Sequence, residues 1–190
     1  IQEIFGVNAH IRGVADSYAA AGYLTIAPAM FDRIHPHIEL DYEEADVKAG
    51  LEFKSQVAPE QAMLDLGAAV AAVAAAGKVG VVGYCWGGLL TWLAATRIAG
   101  IAAASSYYGG GIVNFVEEVP KCPVIFHFGE QDHAIPMDQV EIIRARQSGS
   151  EVFVYPAGHG FNCDQRGSYE ATSAGIARDR TLDFLSQHIG

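Results

Sequence analysis

Val79-Gly80-Val81-Val82-Gly83-Tyr84-Cys85-Trp86-Gly87-Gly88 reads as a strand, a sharp turn and the start of a helix. The apolar run ends in Gly83, and Leu89 to Arg97 has helical composition. Cys85 sits at the apex, so the stretch matches a nucleophile elbow, G-x-S-x-G, with cysteine in the serine place. Gly83 and Gly87 let strand and helix approach closely, and a Cβ at either would crowd the turn. The helix start favours a thiolate over a thiol. The plainer reading is a crossover with a buried cysteine.

The composition narrows the classes around that elbow. With 190 residues, 51% of them hydrophobic, the chain reads as a single domain with a substantial core. No apolar run reaches the ~18 to 20 residues needed to span a bilayer, and the start carries no secretory signal pattern. The net charge is −10 and the basic residues are scattered, which disfavours nucleic acid and anionic membrane as partners. Three widely spaced cysteines argue against a disulfide framework or a zinc site. A reducing cytoplasm fits a free Cys85.

Reading from the start, Ile1 to Gly6 looks like a strand end entering a loop. Asn8 caps a helix over His10 to Ala21, stopped by Gly22. Tyr23 to Ala27 reads as a short buried strand, Ala29 to Leu40 as a loop, and Asp41 opens a polar helix over Tyr42 to Lys54. A helix from Pro59 ends before Gly77. Beyond the elbow, strands are expected at Ile101 to Tyr107, Val124 to Gly129 and Glu151 to Tyr155, with helices over Pro136 to Gln147 and Ser168 to His188. The alternation implies an α/β fold with a mostly parallel sheet covered by helices on both faces.

Ligands gather at the carboxyl ends of strands in such sheets. Three of those ends carry reactive groups: Cys85, then Asp132 in Gly129-Glu130-Gln131-Asp132-His133, then His159 in Ala157-Gly158-His159-Gly160-Phe161. Nucleophile, acid and histidine in that order match an α/β-hydrolase triad. His159 would take the thiol proton and return one to the leaving group, while Asp132 would orient the imidazole. Glu130 and His133 flank Asp132; Gly-x-x-Asp favours Asp132. His35 and His37 lack a third ligand nearby, so no metal site is expected. Cys122 and Cys163 read as packing thiols. Tyr107 and Tyr108 line the pocket or belong to the core.

With these residues in place the chain resembles the dienelactone hydrolase (carboxymethylenebutenolidase) family along essentially its whole length. Gln2 to Asn8, Gly83 to Gly88, Gly129 to His133, Ala157 to Phe161 and Arg180 to Leu185 carry the likeness. The resemblance implies an α/β-hydrolase fold, hydrolysis of a small ester or lactone through an acyl-cysteine intermediate, and no cofactor. It also implies an oxyanion hole from the backbone N–H groups of Ile4 and Trp86, and Glu3 as a restraint on the nucleophile. The family strand that ends at Glu3 lies between those of Tyr23 to Ala27 and Val79 to Val82, preceded by two more. The sequence in hand starts after those N-terminal strands, so something is expected to fill the gap: a strand from a partner chain in a homo-oligomer, rearranged local chain, or residues that precede this stretch.

The departures concern the substrate. The family holds a substrate carboxylate with two arginines; here Cys163 takes one position and the other has no arginine. Lys48 and Arg166 are stand-ins at unmatched positions, with Tyr107 a further substrate-binding candidate. Two other readings stay open: a DJ-1-like or glutamine-amidotransferase-like cysteine protein, and a non-catalytic protein using Cys85 as a redox sensor.

Overall fold

The computed structural model describes residues 1–190. Four parallel strands form one sheet in sequential order: β1 (Val79–Tyr84), β2 (Ile101–Tyr107), β3 (Val124–Gly129) and β4 (Glu151–Tyr155). Each is joined to the next by a crossover, as parallel pairing requires. The helices are α1 (Ala9–Ala20), α2 (Glu44–Gln56), α3 (Pro59–Val73), α4 (Trp86–Arg97), α5 (Met137–Arg146) and α6 (Ala171–His188). No single helix is long and apolar enough to cross a membrane.

Local chemistry sets the element ends. Asn8 Oδ1 accepts from the Ile11 N–H and caps α1, and Gly22 follows its end with a φ of 101°. Pro59 is the first residue of α3, where its missing N–H costs nothing. Two helix starts differ from the sequence reading. The polar helix begins at Glu44 instead of after Asp41, and α6 begins at Ala171, where Glu170 accepts from the N–H groups of Thr172 and Ser173.

The pleat of β2 and β3 assigns side chains to two faces. Ala103, Ser105 and Tyr107 face α6, with Ser105 Oγ 3.0 Å from Thr181 Oγ1. Ala104 and Ser106 face α4, and Ser106 Oγ donates to the Gly88 carbonyl at 2.9 Å. Trp92 packs on Phe126 in that second layer, and Val140 and Ile143 of α5 extend it.

The expected strand at Tyr23 to Ala27 does not form. The segment lacks secondary structure, and Leu24 and Ile26 are 65% and 44% exposed. A strand needs a ladder partner, and none pairs with these residues. The Ile1 carbonyl instead accepts from the Tyr84 N–H at 3.2 Å, so the first residues lie along β1. An apolar cavity of about 270 Å³ separates Val79–Val82 from Tyr23–Pro28.

Candidate active site

The elbow is built by close approach of backbones. An added Cβ at Gly83 would lie 2.1 Å from the Gly87 carbonyl oxygen, and one at Gly87 would lie 2.4 Å from that of Ile1. Both contacts are far inside van der Waals distance, so β1, α4 and the first residues meet only because these positions lack side chains. Cys85 pays in backbone conformation, with φ 55° and ψ −116° at the residue before α4. Few non-glycine residues take a positive φ. Its own N–H donates to the Tyr107 carbonyl at 3.0 Å, and its carbonyl accepts from Gly88 and Leu89. The turn is therefore held from both sides.

Asp132 and His159 come from the loops after β3 and β4. Those loops touch: a Cβ on Gly129 would stand 2.3 Å from the Ala157 carbonyl oxygen. Asp132 is 4% exposed, while its neighbours Glu130 and His133 face solvent. Its Oδ1 accepts from the N–H groups of Ala134 at 2.8 Å and Ile135 at 3.2 Å. Its Oδ2 lies 2.7 Å from His159 Nδ1, and His159 Nε2 lies 3.0 Å from Cys85 Sγ. A carboxylate only accepts, so Nδ1 carries a proton and Nε2 addresses the sulfur. Burial of the ring depresses its pKa, but hydrogen bonds to Asp132 and Cys85 outweigh burial and hold it up at about 10.

Glu3 and Arg166 lie beside this trio. Glu3 is 1% exposed, and Arg166 Nη1 donates to its Oε1 at 3.2 Å. Arg166 lies over the rings of Phe5 and Tyr42, at 5.6 and 5.8 Å. Room for its guanidinium comes from Gly160, immediately after His159, where a Cβ would stand 2.5 Å from Arg166 Nη1. The partner of Glu3 is therefore Arg166, whereas that of Cys85 is His159. The backbone N–H groups of Ile4 and Trp86 enter no turn, loop or cap bond. The Trp86 ring is fixed by stacking on Phe31 at 5.2 Å.

Two substrate candidates are corrected. Tyr107 is fully buried and points away, its hydroxyl donating to the Ala177 carbonyl at 2.9 Å on α6. The pleat requires this, since Tyr107 shares a face with Ser105. The tyrosine facing the site is Tyr108, with φ 36° and its ring 5.2 Å from that of His159. The Lys48 side chain stands exposed on α2 and joins no hydrogen bond or ion pair. Gly50 is the α2 residue packed on Ile4, and two residues of helix rotate Lys48 about 200° away from it.

The description "Dienelactone hydrolase family" fits a family model matching residues 1–189. A Synechocystis protein named "Putative carboxymethylenebutenolidase" is 36% identical over 209 residues, covering 100% of this chain and 85% of the relative. A Pseudomonas putida carboxymethylenebutenolidase is 34% identical, covering 97% and 83%. Among solved structures, a "Putative Dienelactone Hydrolase" from Klebsiella pneumoniae superposes with a TM-score of 0.88 at 33% identity, covering 98% of this chain and 85% of that one.

Proposed function

Because the chain belongs to the dienelactone hydrolase family, we propose that it hydrolyses a small ester or lactone through an acyl-enzyme formed on Cys85. The observation that carries this reading is the bridging imidazole: His159 reaches Asp132 through one nitrogen and Cys85 through the other. Family membership along residues 1–189 favours this over an amidotransferase-like or redox-sensing protein.

In this reading His159 Nε2 already carries the proton at neutral pH, and the Cys85 thiolate beside it attacks the substrate carbonyl carbon. The carbonyl oxygen becomes an oxyanion and accepts from the N–H groups of Ile4 and Trp86. As the tetrahedral carbon collapses, the C–O bond of the ester breaks and the leaving oxygen takes the proton from His159. A lactone opens here and keeps its alcohol tethered. Water then attacks the thioester, giving one proton to His159, and the acid leaves as the C–S bond breaks and restores the thiolate beside the imidazolium. Asp132 stays ionised and holds the imidazole in place. Glu3, drawn to Arg166, leaves the sulfur to His159.

The test is quenched-flow mass measurement on the intact chain, with a dienelactone and a neutral ester of similar size as substrates. We expect the acyl mass on Cys85 with both, and rates for the two within about tenfold. Arg166 already carries Glu3, and a single guanidinium is no two-arginine clamp. Acylation of Cys163 or Cys122, or turnover without an adduct on Cys85, would remove this reading. A larger preference for the charged lactone that is lost in Arg166→Gln would assign Arg166 as a carboxylate anchor.

The pKa of His159 also sets a pH window. It is raised from 6.5 to about 10 in the folded chain. Its imidazolium therefore contributes stability that is fully present below 6.5 and is lost as pH rises through about 10. The same proton is needed for the leaving group, so kcat/KM should fall on an alkaline limb near pH 10. Asp132→Asn should shift that limb to lower pH, because it removes the larger of the two bonds that raise the pKa. An unchanged limb in Asp132→Asn would show that Asp132 does not set it.

A further inference from the structure

His10 lies in the first turn of α1, yet is only 5% exposed. Its Nδ1 is 3.3 Å from Asp164 Oδ1. The carboxylate accepts, so Nδ1 carries the proton and Nε2 keeps its lone pair. Nε2 is buried and no donor reaches it. Glu3 has the same defect: Oε1 takes Arg166, while Oε2 is buried without a donor. Cys163 is fully buried nearby, and one ligand atom from each of the three residues lies within 4.8 Å of the other two. Buried acceptors without donors are rare in folded chains and call for an explanation. None of these atoms is used by Cys85, His159 or Asp132.

We propose that Glu3, His10 and Cys163 bind a divalent cation of the zinc class. A carboxylate oxygen, an imidazole nitrogen and a thiolate are the donors such a borderline ion takes, whereas calcium and magnesium seek oxygen alone. Nδ1 and Oε1 are engaged elsewhere, which leaves Nε2 and Oε2 for the ion. Asp164 on Nδ1 fixes the tautomer and ring orientation, the usual outer partner of a metal-bound histidine. Burial holds the Cys163 thiol up at about 11, partly offset by the Tyr42 hydroxyl. At neutral pH the sulfur therefore carries a proton, and binding forms the S–metal bond while releasing that proton to solvent. Carboxylate and thiolate together balance the dication; Arg166 stays on Oε1. Tetrahedral zinc ligands stand about 3.3 to 3.8 Å apart for bonds of about 2.0 to 2.3 Å. The three side chains thus close by at most about 1.5 Å on binding.

Cobalt(II) tests the site, because it reports both sulfur ligation and geometry. The full chain is stripped with a chelator, desalted, kept reduced with a phosphine, and titrated with Co²⁺ and then Zn²⁺. We expect one Co²⁺ per chain, a near-ultraviolet thiolate-to-cobalt band, the visible bands of a four-coordinate ion with water as its fourth ligand, and displacement by Zn²⁺. Cys163→Ser should abolish the near-ultraviolet band, His10→Ala should weaken binding at least tenfold, and Cys85→Ser should leave both unchanged. Glu3→Gln, which preserves shape, should also weaken binding at least tenfold and carries the test if Cys163→Ser fails to fold. No band in the native chain under a large excess of Co²⁺ would overturn the proposal. So would a band that survives Cys163→Ser and disappears in Cys85→Ser. These readouts do not depend on turnover, so they stand or fall separately from the acyl-enzyme reading.

Discussion

His159→Ala is expected to lower kcat/KM for a simple ester by roughly 10³-fold or more, with the fold intact. The side chain touches both of the groups it serves, at 2.7 Å to Asp132 Oδ2 and 3.0 Å to Cys85 Sγ. Removing it takes away the group that holds the thiol proton, the acid for the leaving group and the base for water in one change. Its side chain is 21% exposed, so truncation leaves an open notch instead of a sealed cavity, but the imidazolium's contribution below about pH 10 is lost with it and the thermal midpoint should fall. Cys85→Ala should lose at least as much, and the double variant no more than the worse single one, because the groups act as a unit. The measurement is steady-state hydrolysis of p-nitrophenyl acetate with the thermal midpoint followed in parallel. Retention of a tenth of the rate in His159→Ala would mean that another group deprotonates Cys85.

The site is largely legible in the sequence because its residues sit where chain punctuation is strongest. Gly83 and Gly87 bracket Cys85, Gly129 precedes Asp132 by three residues, and Gly158 and Gly160 enclose His159. Gly83, Gly87 and Gly129 mark places where backbones meet, and Gly160 makes room for Arg166, all of which a sequence can signal. What it cannot signal is a contact between distant segments. Arg166 reaches Glu3 through turns closed by the Cys163 N–H on Gly160 and the Arg166 N–H on Cys163, and the five residues between Gly160 and Arg166 give no sign of where it points. Glu3, His10 and Cys163 meet across three segments, so a search for closely spaced metal ligands passes over them. Tyr107 was a different case. Strand parity with Ser105 already decides its face, once β2 is known to have α6 on one side and α4 on the other. Tyr23 to Ala27 has strand composition, but composition supplies no ladder partner.

Gly83→Ala is expected to cost about 3 kcal/mol or more, the upper end of overpacking penalties. For a chain of this size that corresponds to a fall of roughly 6 to 12 °C in thermal midpoint. The new methyl would meet the Gly87 carbonyl oxygen at 2.1 Å and Thr91 Oγ1 at 2.3 Å. The hydroxyl can rotate, but the carbonyl cannot, because it belongs to α4. Relief therefore requires α4 to move away from β1, and Cys85 is the residue joining them. His159 is held from other loops and does not follow, so the 3.0 Å contact with Sγ lengthens and turnover falls with stability. Gly67→Ala is the control. It lies inside α3 with nothing within 4 Å of an added Cβ. There alanine gains helix propensity, up to about 1 kcal/mol, and should raise the midpoint by roughly 2 to 4 °C with activity unchanged. Calorimetry on the two variants, beside the ester assay, separates an alanine effect from an elbow effect. A Gly83→Ala chain with native midpoint and native rate would mean that β1 and α4 do not need to meet this closely for Cys85 to work.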